Sequence, residues 1–140
     1  MRSGLQVVAA ETAFGSSVIQ TMKGMEGSPA FFRLGLTLCE PGITAQVLPG
    51  TSLGETGMVG ATAKSLAGGV RRLSGADLGI GVTGNVARDK EQDHMAYIAP
   101  ASPRGTEALE QKWPFAMRYV ENRITKRALA QIRKYLLNRG

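Results

Sequence analysis

The residues here whose types and spacing suit chemistry are hydroxyls placed at chain turns. Ala10-Glu11-Thr12-Ala13-Phe14-Gly15-Ser16-Ser17 joins the end of a short apolar run, Leu5 to Ala10, to the start of a helical pattern. Open α/β sheets place their ligands at such strand-to-helix turns. Amides at a helix start can hold an anion such as a phosphate. Glu11, Gly15, Ser16 and Ser17 are therefore candidate ligand-binding residues, and Thr12 adds a further hydroxyl. A second segment, Gly75-Ala76-Asp77-Leu78-Gly79-Ile80-Gly81-Val82-Thr83-Gly84, also ends in a hydroxyl and a glycine. Thr83 and Gly84 are expected to face Thr12 across one crevice. The plainer reading of each segment is a turn, with a serine cap in the first and a threonine bonded to backbone in the second.

Other chemistries find little support. The single cysteine, Cys39, cannot form an internal disulfide. It ends an apolar stretch with no His or Lys nearby, which favours a buried, inert thiol. The single histidine, His94, follows a charged loop, and surface exposure is expected. One cysteine and one distant histidine are too few for the usual zinc site. Asp89, Glu91 and Asp93 are interrupted by Lys90 and lack EF-hand spacing. No metal and no cofactor is expected.

The elements that must position the hydroxyls follow from periodicity. Leu5–Ala10 reads as a buried strand. Val18, Ile19, Met22 and Met25 recur at helix spacing up to Gly27. Phe31–Cys39 reads as a second strand and Ile43–Leu48 as a short helix. Gly54–Leu73 reads as a longer helix with Met58, Val59, Ala63, Leu66 and Val70 inward. Ala76–Thr83 and His94–Pro100 read as strands three and four. Ala108–Met117 reads as a fifth, paired with the fourth as a hairpin, and Pro114 places it at an edge or marks a bulge. The last helix, Arg118–Asn138, has Val120, Ile124, Ala128, Ile132, Tyr135 and Leu136 as its inner stripe. The expected architecture is one α/β domain over residues 1–140, a three-layer α/β/α sandwich around a mixed five-stranded sheet.

The chain has 140 residues, 43% of them hydrophobic, which suits one globular domain with its own core. Its early apolar stretch is stopped by Glu11, unlike a signal peptide, and no run is long enough to cross a bilayer. A cytoplasmic location without membrane contact is expected. The net charge is +6, and the whole excess lies in residues 118–140, where seven basic side chains accompany one acidic. Such a segment can bind nucleic acid through phosphates. A solvated helix face is the favoured reading, because no exposed aromatics are interleaved.

Taken in order, these segments resemble the CinA C-terminal domain, the nicotinamide-nucleotide amidohydrolase family. That family carries A-E-S-x-T-G-G after its first strand, where this chain has Ala10-Glu11-Thr12-Ala13-Phe14-Gly15-Ser16. Arg71-Arg72-Leu73-Ser74-Gly75-Ala76-Asp77 through Thr83-Gly84 follows the family closely, as does Ala96-Tyr97-Ile98-Ala99. The resemblance runs from about residue 5 to the last helix. It implies hydrolysis of the amide of nicotinamide mononucleotide (NMN) to nicotinic acid mononucleotide and ammonia, without a metal. It also implies a mononucleotide as partner and a hydroxyl-centred site with a lysine and a tyrosine to move protons.

The departures fall on those groups. Thr12 stands for the serine of A-E-S. The second serine of the family's G-S-S falls at Pro29, with Ser28 just before it. The tyrosine falls at Cys39 and the lysine at Thr44. The arginine early in the last helix falls at Thr125, with Arg123 and Arg127 close by. Any surviving site would use Thr12, Ser28 and Thr83, with Arg123 and Arg127 as ligand-binding cations. Loss of the base and the tyrosine implies a member that no longer performs the family reaction and serves as a binding or assembly protein. The alternatives are a surviving amidohydrolase and a nucleic-acid-associated protein. Family members also begin with a helix before the first strand, so an incompletely covered sheet face, closed by self-association, is expected.

Overall fold

Val7 to Glu11 is so apolar, and so free of exposed positions, that it must be the inner strand of a sheet covered on both faces. The computed structural model places it there. It describes residues 5–12, 17–38, 41–49, 60–85, 94–113 and 120–137. All five residues of β1 (Val7–Glu11) are buried. β1 lies between β2 (Phe32–Thr37) and β3 (Leu78–Asn85), parallel to both. β4 (His94–Ser102) runs antiparallel to β3. The far edge is filled antiparallel to β4 by two pieces, β5 (Gly105–Thr106) and β6 (Leu109–Trp113).

The sheet therefore has six strands rather than the expected five. The extra strand, β5, lies ahead of the predicted fifth, in the stretch expected to be only a turn. The predicted fifth corresponds to β6, and both run along β4 at the same edge. Across the gap between them stands Pro100, which brings no N–H to a ladder.

Helices cover both faces. On one side α1 (Ser17–Gly24) and α5 (Val120–Leu137) bury Val18, Ile19, Met22, Ile124, Ala128 and Ile132 against Val7, Ala9, Ile80 and Val82. On the other, α4 (Gly60–Ser74) buries Leu66 and Val70 against Val8 and Ala10, with Leu48 from the end of α3 (Pro41–Val47). The expected three-layer sandwich is thus what forms. Alternation along β1 and β3 decides which face each side chain joins.

Local differences from expectation have local causes. Residues 28–31 form a short helix, α2 (Ser28–Phe31), so the second strand starts at Phe32. Gly27, at φ 77°, turns the chain into α2, and Pro29 fits a first helical turn, where its missing N–H costs nothing. Met25 lies beyond the end of α1 and is 42% exposed instead of joining the inner stripe. His94, expected at the surface, is buried, because it alternates with Ala96 and Ile98 onto the face of the sheet that α1 and α5 cover. Cys39, Met58 and Val59 lie outside the described residues.

The Arg71-to-Asp77 segment ties α4 to the amino edge of the sheet. Gly75, at φ 72°, closes α4 by donating its N–H to the Arg71 carbonyl at 2.8 Å. Asp77 Oδ2 accepts from the Gln6 amide at 2.8 Å, and Arg71 Nε donates to the Asp77 carbonyl at 3.2 Å.

Candidate functional site

β1 and β3 run parallel and in register, Glu11 beside Val82, so their carboxyl ends reach the same edge together. The Thr12 amide donates to the Val82 carbonyl at 3.0 Å, which carries the pairing one residue past the strand. The Thr12 and Thr83 hydroxyl oxygens then lie 2.6 Å apart, a short hydrogen bond. Thr83 is fully buried and Thr12 is half-buried. The two segments singled out by their hydroxyls do meet, side chain to side chain.

The pair lies on the face of the sheet that α4 covers. Gly79, Gly81 and Thr83 alternate on that face, and a Cβ at Gly81 would collide with the Ala63 carbonyl of α4. Thr62, in the first turn of α4, is fully buried. α3 leaves the carboxyl end of β2 and buries Thr44, the position that the resemblance gives to a lysine.

A third hydroxyl continues the row. Tyr97 lies opposite Thr83 in the β3–β4 ladder, hence on the same face, and Glu110 lies opposite Tyr97 in β6. Partial burial, followed by the hydrogen bond to the Glu110 carboxylate, pushes the Tyr97 hydroxyl above its ordinary pKa. Glu110 stands 3.8 Å from the Lys112 ammonium. Tyr97 was not among the expected site residues. The signal that could have found it is the antiparallel pairing of its strand with the one ending Thr83-Gly84.

Glu11 faces the other way. Its carboxylate is fully buried, with Oε1 accepting from the Val18 amide at 3.4 Å and Oε2 from the Ile19 amide at 3.2 Å. It closes the start of α1 as a capping residue does. Burial pushes its pKa above the ordinary carboxylate value, and the two amides offset part of that. Both oxygens are occupied inside the protein.

Two other expected groups stand apart from the threonine pair. Ser28 precedes β2 at the amino edge of the sheet, and its hydroxyl donates to the Lys23 carbonyl at 2.8 Å, a link between α1 and α2. Arg123 and Arg127 are exposed on α5, which packs on the opposite face of the sheet. Gly84 is buried beside Thr83. Gly15 and Ser16 lie outside the described residues, as does the side chain of Ser17. No group of three His, Cys, Asp or Glu side chains among the described residues could hold a metal ion. No helix among them is long and apolar enough to cross a membrane.

Comparison with known proteins gives a consistent result. Residues 1–136 match the CinA C-terminal domain. A relative in Desulforudis audaxviator, named as a competence-damage inducible protein, is 33% identical over 113 residues, 76% of this chain and 27% of that one. A CinA-like protein of Anaeromyxobacter dehalogenans is 31% identical over 113 residues, 76% of this chain and 28% of its own. The chain thus spans about a quarter of the length of these curated relatives. Among solved structures, the competence damage-inducible protein A of Klebsiella pneumoniae superposes with a TM-score of 0.83 at 19% identity, covering 96% of this chain and 88% of that one. The competence/damage inducible protein CihA of Agrobacterium tumefaciens gives 0.77 at 21% identity, covering 92% and 84%.

Proposed function

The chain belongs to the CinA C-terminal domain family, and on that premise we propose that it is a member in which the amide-hydrolysing chemistry is lost and a binding role remains. The observation that carries this reading is the Thr12–Thr83 hydroxyl pair, 2.6 Å apart. A hydroxyl that attacks an amide needs a neighbour able to take its proton. Here the neighbour is a second neutral hydroxyl, and the position of the family's lysine holds the neutral, buried Thr44. The Glu11 carboxylate is engaged on the other face, and the Glu110 carboxylate accepts from Tyr97. Loss of one acid–base group lowers a rate by about 100- to 10,000-fold, and here two are replaced.

The ligand that the resemblance implies is a mononucleotide such as NMN. The test pairs two measurements on the whole chain. Incubation with NMN should release no ammonia above the protein-free rate, while calorimetry should detect binding that Thr12→Ala weakens by about tenfold, the effect of one lost polar contact. Ammonia release abolished by Thr12→Ala would establish a surviving amidohydrolase instead. The assembly half of the reading requires a dimer or larger species by light scattering, and a strict monomer removes it. The exposed cations Arg123, Lys126 and Arg127 favour the nucleic-acid alternative. It would gain ground if DNA binding fell steeply with salt and vanished when those three were neutralised.

A further inference from the structure

The amino edge of the sheet, opposite the threonine pair, carries a second concavity. It is a cavity of about 360 Å³ between the start of β3, the β4–β5 turn and the last turns of α5. That volume is within the range of small-ligand sites. Its apolar wall is Leu78 and Pro100, and Tyr135 stands half-buried on the α5 side. Two cations, Arg104 from the turn and Lys134 from α5, line it from different elements. Among the described residues neither cation is within 4.0 Å of a carboxylate. Gln131 adds an amide to the rim, and the Glu107 carboxylate sets one negative charge against the two positive ones, which keeps the phosphate on the Arg104 and Lys134 side.

Each part has a chemical counterpart. An arginine and a lysine without an ion-pair partner among the described residues together offer two positive charges to a phosphate monoester, and the arginine fork suits phosphate oxygens. A half-buried tyrosine beside a leucine and a proline offers a flat apolar surface to a ring. The helix adds attraction at longer range. Counting along α5, Arg123, Arg127 and Lys134 fall on one flank, leading toward the cavity, and all three are exposed. None of these groups belongs to the Thr12–Thr83 row.

We propose that this amino-edge cavity is a binding site for a small phosphate monoester carrying a flat ring, with Arg104 and Lys134 on the phosphate and Tyr135 against the ring. The site is independent of the threonine pair and of whatever that pair binds. The β4–β5 turn is held for the task by the Ser102 hydroxyl, which accepts from the Arg104 amide at 3.1 Å and so fixes the backbone from which the guanidinium projects.

The test is a two-dimensional amide NMR titration of the full chain with phenyl phosphate. Saturable shifts are expected at Thr106, Gln131 and Tyr135, with the Thr12 and Thr83 signals unmoved. Arg104→Gln and Lys134→Gln should each weaken binding by about tenfold, as loss of a charge-assisted hydrogen bond does. Both side chains are exposed, so both variants should keep the native spectrum elsewhere. Inorganic phosphate should bind at least about tenfold more weakly, because it lacks the ring, and benzyl alcohol should not bind measurably. No saturable shift at millimolar phenyl phosphate would overturn the assignment. So would equal affinity for inorganic phosphate, unchanged affinity in the double variant, or shifts centred on Thr12. Tighter, salt-sensitive binding of single-stranded DNA through the same three residues would overturn the small-ligand assignment in favour of a polyanion surface.

Discussion

Glu11 carries a carboxylate to a place no water reaches, and there it does structural work. Its two oxygens accept the Val18 and Ile19 amides, which would otherwise be unpaired at the start of α1. Burial raises its pKa in the fold, so the folded state holds the Glu11 proton more tightly than the unfolded chain does. The contribution of Glu11 to stability is therefore fullest below its unfolded pKa and is lost as pH rises through the higher folded value. Glu11→Gln cannot ionise and lacks that dependence. The stability of Glu11→Gln relative to the native chain, measured by urea unfolding, should rise from about pH 5 to about pH 8. A relative fall over that interval would show that the two amides outweigh desolvation. Glu11→Ala removes the cap outright and should cost about 1–2 kcal/mol near pH 5 and less near pH 8. Thr12, the next residue, points to the other face, and this alternation separates a capping role from a site role within two residues.

At the scale of elements, α4 lies unusually close to the sheet, and two glycines make that possible. Side chains at Gly79 and Gly81 would run into the Ala67 and Ala63 carbonyls of the helix. These are backbone atoms, which cannot swing aside as a flexible side chain can. Gly81→Ala should destabilise the protein by about 1–3 kcal/mol, the usual cost of overpacking a tight contact. Gly24→Ala, with open space around the new methyl, should not destabilise it. Equal thermal stability of Gly81→Ala and the native chain would mean that α4 can retreat, and the threonine row with it. The alternation Gly79-Ile80-Gly81-Val82-Thr83 made this strand legible, because period two separates the glycines under α4 from the valine and isoleucine facing α1 and α5. The meeting of Thr12 with Thr83 was legible for the same reason, since parallel neighbours of matched register bring equivalent ends together. What stayed hidden depended on the antiparallel edge. The Thr83–Tyr97–Glu110 row follows from which residue pairs with which across β4, and periodicity does not specify register. Ser28 entered through the resemblance alone, and the fold puts it at the amino edge of the sheet, bonded to the Lys23 carbonyl and away from the threonine pair.

For the whole molecule, the sheet is a single layer shared by two cores. Val7, Ala9, Ile80 and Val82 point into the core under α1 and α5, while Val8 and Ala10 point into the core under α4. Neither core can dissolve while the other stays intact, because the same five-residue β1 walls both and all its residues are buried. The expectation is one cooperative transition. Ile124→Val removes a methyl group from the α5 side and should cost about 0.5–1.5 kcal/mol; Leu66→Ala opens a cavity on the α4 side and should cost about 2–5 kcal/mol. Both side chains are fully buried, and they belong to separate clusters with no shared partner. Their effects should therefore add within about 0.5 kcal/mol in the double variant. The single tryptophan and the far-ultraviolet circular dichroism should report the same midpoint in each protein. Separate midpoints in Leu66→Ala would mean that the helical layer over the threonine row unfolds on its own. The carboxyl-edge site and the amino-edge cavity would then belong to two units of different stability, rather than to the opposite ends of one.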